Sequence, residues 1–272
     1  MSLVKIRGNC FKINLGDARN KTCKRKAVLI SDSKGKYIQQ EISTEKFLDL
    51  TIISHPGLQI DNTNFIWSTL KRTIKKKEKA IVFLWIGTCN LTTKTDKYIQ
   101  LTNDTPKYHS KIDEIANRLS DWKAQIQARY KHTRVIILEC PPYSIVAYNK
   151  ANGHPNPAEG SLEQTARLEQ QIYYLNALIR NINNKNLKVT TKQSKVDLNN
   201  NLTESDKAGK TKPNRYTSPN FSSDVLRQTK YQRQQTKYYV DYKVYTDGIH
   251  PGPTLAKLWL RRICQRIIQL CY

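Results

Sequence analysis

Seven consecutive apolar residues, Ala80 to Ile86 (AIVFLWI), leave no polar face for an amphipathic element. A strand covered on both sides reads this way, whereas a strand packed on one side alternates. Ala27–Ile30 and Val135–Leu138 repeat the pattern, and Leu50-Thr-Ile-Ile53 is a fourth run of strand type. Segments of helical period separate them. Ile66, Leu70 and Ile74 mark one over 61–77, and Ile112, Ile115, Leu119, Trp122 and Ile126 another over 106–130. Ile172, Leu175, Leu178 and Ile179 mark a third over 161–181. A last one begins near Pro253, a residue suited to a first helical turn, and carries Leu255, Leu258, Trp259, Ile263 and Ile267. Pro141-Pro142 stops the strand before it, and 148–160 reads as a loop. Continuous apolar strands alternating with amphipathic helices predict an α/β fold: a doubly wound, mostly parallel sheet of about five strands with helices on both faces.

Charge constrains partners more than fold. The chain has 46 Lys+Arg against 22 Asp+Glu in 272 residues, a formal net charge of +24. That excess is larger than solubility requires and favours a polyanion: RNA, DNA or an anionic membrane surface. Lys24–Lys26, Lys71–Lys77 and Arg261–Arg262 are the dense clusters, and each taken alone reads as a solvated face. From about 192 to 237 the chain is rich in Asn, Gln, Thr and Lys and poor in aliphatics, which predicts a mobile basic insertion in a domain spanning 27–272, behind a basic extension over 1–26. Tyr216, Phe221 and Tyr231 alternate there with basic residues, a pattern that suits stacking on unpaired bases and equally suits an inert spacer. The nucleic-acid candidates are Lys75, Lys76, Lys77, Arg215, Tyr216, Tyr231 and Arg233.

No run approaches 18 apolar residues, and the N-terminus has no continuous apolar signal core, so an intracellular address, cytoplasmic or nuclear, is expected. Six cysteines are scattered without a C-x-x-C pair, which predicts free thiols and neither a metal site nor a cofactor.

In doubly wound sheets ligands bind beyond the carboxyl ends of the strands. Ser31-Asp32-Ser33 follows the first predicted strand, Gly57 the second, Gly87-Thr88-Cys89-Asn90-Leu91 the third, and Asp247-Gly-Ile-His250 precedes the last helix. In kind and order these blocks resemble those of the SGNH hydrolase (GDSL-type esterase) superfamily, over about Ala27 to Leu270. The resemblance implies a flavodoxin-like sheet and a serine esterase acting on an acyl or acetyl ester. Ser33 would be the nucleophile, His250 the general base and Asp247 the residue that orients the imidazole, because a serine hydroxyl is a poor nucleophile until a base accepts its proton. The oxyanion would be held by the N–H groups of Ser33 and Gly57 and by a side chain of the third block.

Two departures stand out. Serine occupies position 31, where the superfamily has glycine. Aligned without a gap, Cys89 falls on the oxyanion asparagine and Asn90 on the aspartate after it; a shift of one residue returns Asn90 to the hole. A thiol is a weak donor, so the gapless register predicts a slow enzyme. Residue by residue, plainer readings stay open. Ser33 can cap the following helix, and His250 can be an ordinary loop histidine, as His55, His109, His132 and His154 are taken to be. A catalytically weak module of the same fold that binds RNA or DNA is the alternative function. The basicity is similar to that of esterase-like domains in retrotransposon-encoded proteins.

Overall fold

The computed structural model describes residues 22–42, 49–102, 108–184, 218–228 and 238–272. Its elements are, in chain order, β1 (Lys26–Ser31), α1 (Lys34–Gln40), β2 (Leu50–Ser54), α2 (Thr63–Thr73), β3 (Ala80–Trp85), β4 (Thr92–Thr95) and β5 (Tyr98–Leu101). They continue with α3 (His109–Arg129), β6 (Thr133–Ile137), α4 (Ile145–Ala151), α5 (Ser161–Asn184), β7 (Leu226–Gln228), β8 (Tyr238–Val240) and α6 (Pro253–Cys271).

The main sheet runs β2-β1-β3-β6 with every pair parallel. Side chains alternate across it as the pleat requires. Val28, Ile30, Val82, Leu84 and Ile137 face one way, onto a core shared with α2, α3 and α5. Ala27, Leu29, Ile81, Phe83, Trp85 and Ile136 face the other, onto α6 and Ile38 of α1. The apolar runs are continuous because both faces are buried. The fold is thus a doubly wound α/β sandwich of three layers.

The described sheet has four strands where about five were expected. Its outer edge at β6 is closed by side-chain amides. Asn183 of α5 accepts from Ile137 N (3.1 Å) and donates to its carbonyl (2.8 Å). Asn176 brackets Cys140 in the same way (2.8 Å each), and Gln127 of α3 accepts from Val135 N (3.1 Å). Each of the two asparagine amides supplies one donor and one acceptor, as a neighbouring strand would. Two antiparallel ribbons, β4–β5 and β7–β8, lie outside this sheet.

Part of the segment read as a mobile insertion is packed. Phe221 is fully buried, stacked on Trp85 (ring centres 4.8 Å apart) and edge-on to Trp259 (5.8 Å). Ser218 Oγ accepts from Glu139 N (2.8 Å), and Asp224 pairs with Arg262 of α6 (2.6 Å). Phe221 is therefore a core residue, not a base-stacking one. A lone aromatic in polar surroundings finds its partners only in the tertiary structure. Arg215, Tyr216, Tyr231 and Arg233 lie outside the described residues. The loop expected over 148–160 begins four residues late, since α4 extends to Ala151.

Candidate functional site

The chain crosses from one sheet half to the other at β1 and β3, and the polar blocks gather at their carboxyl ends. Ser33 sits at the N-terminus of α1 with φ −54° and ψ −25°, and its side chain caps nothing. Its hydroxyl instead donates to His250 Nε2 at 2.9 Å, across 217 positions of sequence. His250 Nδ1–H donates to Asp247 Oδ2 at 2.6 Å, which leaves Nε2 as the acceptor for the serine. Ser33 therefore makes no side-chain cap, and His250 is joined to both Ser33 and Asp247.

The loop bearing Asp247 and His250 is braced from several sides. Asp247 Oδ1 accepts from the amides of Ile249 (3.0 Å) and His250 (2.8 Å), and Thr246 N donates to His250 O (2.8 Å). Gly248 has φ +89°, and its carbonyl accepts from Ser144 N (3.0 Å). A Cβ there would meet Ala147 Cβ at 2.5 Å and Tyr148 N at 2.9 Å, so only glycine lets the loop rest against α4. Burial pushes the Asp247 carboxyl up, yet the hydrogen bonds from His250 and Ile249 outweigh it and hold the group below its ordinary value. Asp247 is therefore an anion at neutral pH, as a group that orients an imidazolium must be.

Beneath Ser33 lies a buried polar knot. Asp32 Oδ1 accepts from Lys34 N (3.0 Å), and Oδ2 is paired with Lys34 Nζ. Lys34, 1% exposed, also donates to Thr88 Oγ1 (3.0 Å) and lies over the Trp85 ring (5.5 Å). The ammonium cancels the Asp32 charge next to the serine, where an uncompensated anion would oppose a developing oxyanion. Ser31 has no positive φ; it ends β1, and its Cβ fits over Gly35, where an added Cβ would stand 2.8 Å away. Serine at 31 is tolerated because residue 35 has no side chain.

The third block turns at Gly87 and places its two polar residues differently. Cys89 directs its thiol at Asp32 Oδ2 (3.8 Å), the oxygen paired with Lys34. Asn90 Oδ1 accepts from Ile60 N (3.1 Å), clamping the segment that follows Gly57. Burial, reinforced by the Asp32 charge, pushes the Cys89 thiol up to about 12, so it is uncharged at neutral pH. Among the described residues, no hydrogen bond engages the backbone N–H of Ser33 or of Gly57. Two contributors were not anticipated: Lys34 and Tyr37, whose ring stacks on His250 (4.9 Å between centres, 25° between planes). Tyr37 follows Ser33 by four residues, the spacing that puts two side chains on one helix face. Among the described residues, no three His, Cys, Asp or Glu side chains are grouped as metal ligands would be.

The sequence matches no known family profile and no curated protein. Solved structures are similar in fold. One is a candidate acylhydrolase from Bacteroides fragilis, with 13% identity, a TM-score of 0.54 and 95% of each chain covered. Another is a candidate platelet activating factor from Streptococcus pneumonia, with 14% identity, a TM-score of 0.51 and coverage of 97% of this chain and 94% of that one. At such identities the likeness extends to the fold, the one expected from the ordered blocks.

Proposed function

We propose that the chain is a slow serine ester hydrolase of the SGNH type. The observation that carries this reading is the hydrogen-bonded relay Ser33 Oγ–His250 Nε2 (2.9 Å) and His250 Nδ1–Asp247 Oδ2 (2.6 Å), built from both ends of the domain. In the first half-reaction Ser33 Oγ attacks the ester carbonyl while its proton passes to His250 Nε2. Asp247 stabilises the resulting imidazolium, and the imidazolium then protonates the departing alcohol. Water, deprotonated by the same nitrogen, releases the acid and restores the serine. The N–H groups of Ser33 and Gly57 serve the oxyanion, and the third donor is the Cys89 thiol that the gapless register assigns, Asn90 Oδ1 being held by Ile60 N. A thiol there donates weakly, hence the slow turnover. The name of the Bacteroides fragilis protein, an acylhydrolase, agrees with an acyl or acetyl ester as substrate.

The test is covalent labelling. A fluorophosphonate probe is expected to label the wild type and not Ser33→Ala, with p-nitrophenyl acetate hydrolysis lost in parallel. Absence of labelling, with equal hydrolysis by both proteins, overturns the reading and favours the catalytically weak module. Kinship with esterase-like domains of retrotransposon-encoded proteins rests on basicity alone and stays a proposal.

A further inference from the structure

The basic residues that sequence disperses are gathered by the fold at the amino ends of the strands, the pole opposite the serine. Three segments meet there: 22–26 before β1, 71–79 before β3, and 129–134 before β6. Hydrogen bonds join them directly. Arg25 Nη1 donates to His132 O (3.3 Å), Lys26 N to Lys79 O (2.9 Å), and Lys26 Nζ to Thr73 O (2.9 Å). Together the segments hold twelve Lys or Arg and a single acid, Glu78, which caps its own turn by accepting from Lys75 N (3.0 Å). All but Arg25 and Lys26 of the twelve are exposed; Asp49, at the start of β2, is the nearby acid.

We infer that this pole is a docking surface for the phosphodiester backbone of a nucleic acid. A concentration of cations on one edge, joined by main-chain contacts and almost unpaired, is the electrostatic footprint of a polyphosphate partner. A membrane fits less well on two counts. The large apolar side chains that stand exposed among the described residues, Leu162, Tyr173 and Tyr239, belong to none of the three segments, so the pole has nothing to insert into lipid. A bilayer seated there would also leave Ser33 roughly 20 Å away, the length of a six-residue strand. Only the distance to Ser33 rests on the hydrolase reading; the charge and the lack of exposed apolar side chains stand without it, since the two sites are at opposite ends of the sheet.

Fluorescence anisotropy with a labelled single-stranded RNA and with a labelled DNA duplex tests it, using the full chain. Wild type is expected to bind either, with affinity falling roughly 10²-fold or more from about 50 to 200 mM salt. Lys75→Glu, Lys77→Glu and Lys131→Glu combined should weaken binding at least about tenfold and flatten the salt slope. A control of equal charge change, Lys94→Glu, Lys97→Glu and Lys150→Glu, lies at the carboxyl side of the sheet and should alter affinity less than about twofold. Equal thermal stability of the two triple variants separates loss of binding from loss of fold. Equal weakening by both, a salt-independent affinity, or binding to phosphatidylserine vesicles without binding to either nucleic acid overturns the inference.

Discussion

The phenol of Tyr37 lies against the imidazole of His250, ring centres 4.9 Å apart and planes 25° from parallel. This contact shields one face of the ring and sets the plane from which Nε2 meets Ser33. Tyr37→Ala is expected to lower kcat about tenfold, within the roughly 10² that a misplacement of about 1 Å can cost. Tyr37→Phe keeps the stack and should retain near wild-type kcat. Steady-state ester hydrolysis by the two variants decides; equal rates for Tyr37→Ala and wild type would make the stack irrelevant to turnover.

The elements legible in sequence are those whose signal is local. β3 declares itself through seven apolar residues, and the four site blocks through short spellings at strand ends. The β4–β5 ribbon was invisible because Thr92–Thr95 (TTKT) shows no apolar alternation. It is held from outside, by Asn149, which accepts from Ile99 N (2.8 Å) and donates to Ile99 O (2.9 Å). Lys34 reads as a surface residue until Asp32 and Thr88 are seen to bury it. Phe221 is the clearest case, because its cage of Trp85 and Trp259 comes from positions far away in sequence. Phe221→Ala should therefore cost about 3–5 kcal/mol in urea unfolding, a core value, and not the near-zero of a loop residue.

Cys89 offers a gain-of-function test. Ile60 N engages Asn90 Oδ1 (3.1 Å) and leaves its amide nitrogen free, while the Cys89 thiol lies 3.8 Å from Asp32 Oδ2; the proposed slow enzyme takes the thiol as the third donor. Replacing it by an amide supplies a strong donor, and one oxyanion donor is worth roughly 10²–10³ in rate. Cys89→Asn is expected to raise kcat about tenfold or more. Asn90→Ala should chiefly lower stability, by about 1 kcal/mol for the lost hydrogen bond. The opposite pattern, a harmful Cys89→Asn and a rate collapse in Asn90→Ala, would assign the hole to Asn90.

The Asp32–Lys34 pair makes a separate prediction about folding. Both side chains are 2% exposed or less, so removing one partner strands a charge in the interior. Lys34→Met is expected to destabilise by about 3–5 kcal/mol, whereas Asp32→Asn combined with Lys34→Met should recover much of that loss. Chemical denaturation of the wild type, Asp32→Asn, Lys34→Met and the double variant measures it. Additive losses in the double variant would mean that the pair is not coupled.

Two buried groups give stability an unusual dependence on pH. Burial pushes Glu139 up to about 7, although Arg180 stands 2.9 Å away. Burial, helped by the Arg134 charge, brings Lys123 down to about 8. Glu139 in the folded chain holds its proton longer than in the unfolded chain. Its contribution is therefore complete below the ordinary carboxylate range, about 4.5, and is lost as pH rises to 7. Lys123 works in the other direction: the unfolded chain holds the proton longer, so stability is recovered as pH climbs from 8 toward 10.5. Each swing is worth up to about 3 kcal/mol at 1.36 kcal/mol per tenfold change. The expected profile of Tm against pH has a trough between 7 and 8. Glu139→Gln should lift its acid-side wall into a plateau, and Lys123→Met its alkaline side, while wild-type stability rising steadily from pH 5 to 8 would contradict the assignment of Glu139.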